Sequence, residues 1–190
     1  MTRSRQTADW GSRAGLAKIV PSSVAVGSGT GSSDTTGKVT FTTVSSVSLN
    51  DVFSSTYENY AILLNITSAT IADAILMRLR VSGSDNSSSN YYWSLIYQNF
   101  SGATSPLGAN SNGLTSSFRV GYSSSTTRAS IQLFSPFATS QTSFNSDAGN
   151  HNNDFALNGG NTSVTTSYTG FTIIPASGTL TGTLSVYGYN

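Results

Sequence analysis

The sequence predicts an all-β protein: a single antiparallel β-sandwich, jelly-roll-like, with an extended N-terminal arm. Three observations lead there. Ser, Thr and Asn number 76 of the 190 residues, and their side chains bond nearby backbone, which competes with the helical ladder and favours turns and strand surfaces. Charged residues make up only 9%, against roughly 25% in an average soluble domain, so hydroxyls rather than charges must cover the solvent-facing strand positions. Apolar residues alternate with polar ones in short runs punctuated by Gly, Pro, Asn and Asp, without a sustained helical period.

The length and the 37% hydrophobic content suit one domain with an ordinary core. A net charge of +1 argues against a dedicated nucleic-acid binder, which carries a basic face. With no cysteine, disulfides and thiolate metal sites are excluded. No apolar run approaches the ~20 residues of a membrane-spanning helix, so membrane insertion is not expected. A hydroxyl-rich, weakly charged surface is poorly defended against association; packing into an assembly accommodates it.

Residues 1–37 read as an anchoring arm and linker, and residues 38–190 as the sandwich. The arm places Arg3, Arg5, Arg13 and Lys18 around Trp10 and Leu16. One large ring supplying contact area, with arginines reaching acceptors around it, is what a peptide needs to seat in a partner's groove; a disordered tail is the alternative. Gly27 to Gly37 reads as a flexible linker. Its glycines are not a phosphate loop, because no Gly-Lys-Ser/Thr follows.

Val39 to Thr42 and Val44 to Leu49 form an alternating ribbon with a bulge near Ser45-Ser46. Asn50-Asp51 then caps a single helical turn carrying Phe53, Tyr57 and Tyr60. These rings are candidates to plug one end of the sandwich beneath the terminal Tyr187-Gly188-Tyr189 strand. Tyr60 to Thr67 is apolar enough for a central strand covered on both faces. Ile75, Met77, Leu79 and Val81 fall on one face of the next strand, Arg78 and Arg80 on the other. A loop over Ser82 to Ser89 leads to the aromatic strand Tyr91 to Tyr97. Gly102 to Gly113 reads as loop, Ser117 to Tyr122 and Arg128 to Phe134 as strands, and Thr139 to Asn161 as mostly loop with a short strand at Asp154 to Leu157. Tyr168 to Ile174 and Thr179 to Tyr189 close the chain around a Pro175 to Gly178 turn. In the last strand Leu180, Leu184 and Val186 share a face.

Four segments together carry a resemblance: Val52-Phe53-Ser54-Ser55-Thr56-Tyr57-Glu58-Asn59-Tyr60, Leu79-Arg80-Val81-Ser82-Gly83-Ser84-Asp85-Asn86, Tyr168-Thr169-Gly170-Phe171, and Val186-Tyr187-Gly188-Tyr189. In this order they resemble small virion structural proteins of tailed bacteriophages, those of cyanophages and other aquatic phages included, in which a short arm precedes one β-sandwich. The resemblance implies a non-enzymatic part of a virus particle, made in the host cytoplasm. It would be either a tail fibre or adaptor subunit docked on other virion proteins through its arm, or a capsid decoration protein. It also implies a homotrimer.

Catalytic chemistry finds little footing. His151 sits in a polar Asn- and Asp-rich loop, Glu58 is the only glutamate, and Asp73 starts a strand, so neither a triad nor the paired carboxylates of glycoside hydrolysis assemble. Zinc has too few ligands. Asp85 with Asn86, or Asp147 with Asp154, offers oxygen ligands for calcium without the spacing of a known calcium loop. No cofactor is expected. Arg78, Arg80, Tyr92 and Tyr97 are candidates for a subunit interface or for stacking on a host-surface glycan, core packing and an ordinary solvated face being the plainer roles.

Overall fold

The computed structural model describes residues 15–99, 107–111, 113–123, 126–150 and 154–190. Arg3, Arg5, Trp10, Arg13 and His151 lie outside them. Among the described residues, sixteen strands run in chain order: β1 (Ala17–Ile19), β2 (Ser23–Val26), β3 (Thr30–Ser33), β4 (Lys38–Val44), β5 (Val47–Asn50), β6 (Asn59–Ala69), β7 (Asp73–Val81), β8 (Ser84–Asp85), β9 (Tyr91–Asn99), β10 (Leu107–Asn110), β11 (Phe118–Ser123), β12 (Thr127–Phe134), β13 (Ser143–Asn150), β14 (Asp154–Thr162), β15 (Gly170–Pro175) and β16 (Leu180–Tyr189). No helix occurs among the described residues.

Two antiparallel sheets form the sandwich. The large sheet has the order β10-β9-β14-β13-β12-β6-β16-β4-β3, with β1 also paired to β16; the small sheet has the order β11-β7-β15-β5-β2, with β8 on β7. The core lies between them. Val39, Phe41, Ile62, Leu64, Leu184 and Val186 come from the large sheet and meet Leu49, Ile75, Met77, Leu79, Phe171 and Ile173 from the small one. Alternation along β16 follows the pattern read from sequence, every second residue from Leu180 to Gly188 being buried.

The described part of the segment expected to be arm and linker, residues 15–37, is built into both sheets. β2 pairs with β5, β3 with β4, and β1 with β16. The glycines that suggested flexibility serve tight geometry instead: Gly37 has φ +77°, and a Cβ there would come within 2.4 Å of the Ile19 carbonyl oxygen. Beside it, Asp34 Oδ1 accepts from the Thr36 backbone (2.8 Å), the Thr36 hydroxyl (2.7 Å) and the Lys38 backbone (3.0 Å), which locks the β3–β4 turn. These bonds, the hydroxyl foremost, hold the Asp34 carboxyl below its ordinary range.

Other expectations also change. The irregularity at Ser45-Ser46 is a sheet-to-sheet crossing, since β4 belongs to the large sheet and β5 to the small one. No helical turn follows Asp51; Phe53, Tyr57 and Tyr60 converge through an irregular loop pinned by the Val52 and Phe53 amides donating to the Thr169 carbonyl. β6 is central in its sheet but covered on one face only, with Leu63 about half exposed. Strands β10 and β13 occupy stretches that read as loop, and the short strand expected at Asp154 to Leu157 continues to Thr162 as β14. Asn145, Asp147 and Gly149 of β13 point to solvent while Phe144, Ser146 and Ala148 point inward, so the polar composition reflects an exposed face and small inward residues, not loop structure.

Candidate functional site

The large sheet reaches past the small one at the β9 and β10 end, because β11, the small sheet's edge strand, packs over β13 and β14. This overhang opens a cleft of about 440 Å³. Its floor is carved by small side chains: Ala148 of β13 and Ala156 of β14 stand side by side in register, and Gly121 of β11 faces Ala148, a Cβ at 121 falling 3.4 Å from that of Ala148. Leu95 and Tyr97 from the inner face of β9 and Ala109 of β10 complete the large-sheet wall.

A bulge between Arg119 and Gly121 shapes the opposite wall. Simple alternation would send residues 119 and 122 to opposite faces; the extra residue brings them together. The Arg119 guanidinium carbon lies 6.0 Å from the Tyr122 ring centroid and 5.7 Å from that of Trp93 on β9. Burial lowers the pKa of Arg119, with Tyr122 the first of the neighbours acting the other way.

Asn158 of β14 lies at the bottom of the cleft, 5% exposed. Among the described residues, neither its carboxamide oxygen nor its nitrogen has a hydrogen-bond partner. Its in-register neighbour Ser146 is satisfied, donating across the sandwich to the Val120 carbonyl at 2.9 Å.

The residues singled out from sequence fall elsewhere, apart from one. Tyr97 lines the cleft, whereas Tyr92 is exposed on the outer face of the same strand, so the two cannot share a site. Arg80 does not project to an interface. It is 9% exposed, ion-paired with Asp85, and bonded to Ser48 Oγ (3.1 Å), Thr172 Oγ1 (2.8 Å), Asn50 Oδ1 (3.0 Å) and the Gly83 carbonyl. Asp85 is thereby committed to Arg80 and Thr172. Arg78, half-buried, donates from Nε to the Ser116 carbonyl at 3.1 Å. Leu16, in the described part of the arm, is exposed. Among the described residues no group of three or more His, Asp or Glu gathers as for a metal ion.

No family model, curated protein or solved structure matches the chain. Function must therefore be argued from its own surfaces.

The second such surface is the outer face of the large sheet. Ile96, Leu157, Asp147, Ser130, Leu63 and Ser185 lie in one register row across β9, β14, β13, β12, β6 and β16. Ile96 and Leu157 are more than half exposed, and Leu63 and Phe155 substantially so. A shallow depression of about 540 Å³ between Leu63, Phe155 and Tyr187 is floored by Ser130, Gly149 and Ser185. It is broader than the cleft but gathers no unpartnered buried group among the described residues.

Proposed function

We propose that this chain is a non-enzymatic structural component of a bacteriophage virion, a tail-appendage subunit of the fibre or adaptor kind. It joins other virion proteins through its N-terminal residues and associates with copies of itself, as a trimer, through the outer face of its large sheet. The observation that carries this reading is the row Ile96, Leu157 and Leu63, with Phe155 beside it. Apolar side chains exposed on one sheet face mark a surface that meets another, and a chain with 9% charged residues has little else to keep such faces apart. The segment pattern that resembles phage virion proteins supports the same reading. So does the composition of the cleft, where a guanidinium, a carboxamide and phenols suit binding rather than proton transfer at neutral pH.

Quantitative mass spectrometry of purified particles tests it. Tens of copies per particle fit a tail appendage and hundreds fit capsid decoration, the alternative location; absence of the chain from purified particles overturns the reading.

A further inference from the structure

We infer that the cleft between β11 and the β9–β14 end of the large sheet binds a carboxylated sugar, either a free sugar acid or the acidic residue of a polysaccharide. The inference does not rest on the virion reading. It starts from Asn158, a residue 5% exposed whose donor and acceptor are both unused among the described residues. Buried carboxamides without partners are rare and costly. This one lines a cleft large enough to admit what would satisfy it, a group that both accepts and donates, as neighbouring sugar hydroxyls or an acetamido group do.

Arg119 narrows the choice. Its guanidinium lines the same cleft and makes no hydrogen bond or ion pair among the described residues. Asp73, the carboxylate within its electrostatic reach, is engaged by the Ser177 hydroxyl at 2.6 Å and the Ala74 amide at 2.7 Å. The guanidinium carbon lies over the Trp93 and Tyr122 rings, 5.7 and 6.0 Å from their centroids, and its uncommitted N–H donors suit a planar anion, which a carboxylate matches with two parallel bonds. Tyr97 and Tyr122 supply aromatic walls, and Leu95, Ala148 and Ala156 an apolar floor, for the C–H face of a pyranose ring. The volume lies within the range of small-molecule sites.

Other ligand classes leave part of this arrangement unanswered. A neutral sugar leaves Arg119 unpaired. Inorganic phosphate leaves the aromatic walls unused, and an apolar molecule leaves Asn158 orphaned. A carboxylate joined to a hydroxylated ring answers all three features.

The test is isothermal titration calorimetry of the full chain with methyl glucuronide, methyl glucoside as the neutral control, inorganic phosphate, and a tetrasaccharide ending in glucuronic acid. Trp93 emission in a Trp10→Phe background gives a second readout. Saturable binding of the glucuronide is expected, with none for the glucoside or phosphate at the same concentration. Arg119→Gln should weaken glucuronide binding at least tenfold. Asn158→Leu should abolish it while raising the thermal midpoint, which shows that the variant folds. Tighter binding of the tetrasaccharide identifies a polysaccharide as the source, and equal binding identifies the single acidic residue. Absence of saturation by the glucuronide and the tetrasaccharide at about 10 mM, where a site of roughly 1 mM affinity is nine-tenths full, overturns the inference. Equal binding of the glucoside, or an unchanged affinity in Arg119→Gln, does so as well.

Discussion

The ring of Tyr57 occupies the space a side chain on residue 188 would need: a Cβ at Gly188 would fall 2.3 Å from Tyr57 Cδ2. The last strand can therefore close over the loop before β6 only because residue 188 lacks a side chain. Gly188→Ala should cost about 1 to 3 kcal/mol, as overpacking does. Tyr57→Ala should remove most of that added penalty in a double-mutant cycle followed by chemical denaturation; additive effects would mean that the two positions do not meet.

Under Tyr57 lies a stack of rings. Phe53 is 4.8 Å from Tyr60, edge to face, and 5.9 Å from Phe171, stacked. The Tyr60 hydroxyl donates to the Ser54 carbonyl at 2.9 Å and accepts from the Ser54 amide at 2.8 Å, fixing the loop to its own strand. With Phe53 2% exposed, Phe53→Ala should lower stability by about 3 to 5 kcal/mol. A change near zero in urea denaturation would remove this stretch from its organising role.

Arg80 ties β7 to β5, β8 and β15 through Ser48, Asn50, Asp85 and Thr172. Removing the cation leaves Asp85 as a carboxylate facing hydroxyls in a low-exposure site. Arg80→Met should therefore cost about 3 to 5 kcal/mol, the range for breaking a buried pair. The double variant Arg80→Met with Asp85→Leu should recover part of the loss.

Tyr91 gives the stability a pH dependence whose sign is fixed. Its buried hydroxyl donates to the Asn86 carbonyl at 2.8 Å and accepts from the Leu79 amide at 3.1 Å, and burial pushes its pKa upward. The unfolded chain ionises near pH 10. Its contribution is thus fully present below pH 10 and is lost as pH rises above it. The denaturant midpoint should fall above pH 10, and Tyr91→Phe should flatten that fall while lowering stability at about pH 8 by about 1 to 3 kcal/mol.

The sandwich was legible in the sequence because its central strands alternate strongly: β7, β12 and β16 bury the residues their parity assigns, except at the end of β7, where Val81 is exposed and Arg80 buried. The aromatic end plug was legible too, since Phe53, Tyr57 and Tyr60 are dense where little else is, although a loop rather than a helical turn brings them together. The cleft was not, apart from Tyr97. Strand β14 reads Asp-Phe-Ala-Leu-Asn-Gly-Gly-Asn-Thr, with apolar Phe155 and Leu157 facing out and Ala156 and Asn158 facing in. Phe155 and Leu157 mark the short strand at Asp154 to Leu157, but its continuation through Asn158 to Thr162 is polar and reads as loop. The available signal was the pair of small inward residues, Ala148 and Ala156, on neighbouring strands, with Asn158 at the same parity. Arg119 escaped notice because only the bulge at Val120 turns it beside Tyr122. The Gly-rich segment before β4 misled for another reason: glycines required by close backbone approach have the same composition as a linker.

The virion assignment is tested most directly by incorporation of a shortened chain. Because Ala17 to Ile19 pair with Val186 to Gly188 in β16, the deletion must stop at Leu16 to leave the sheet intact. Particles assembled with residues 17–190 in place of the full chain, compared by quantitative mass spectrometry after purification, should lack the protein. The soluble fragment should keep the denaturation midpoint of the full chain. Incorporation of the fragment at the full-length copy number would contradict attachment through the N-terminal residues.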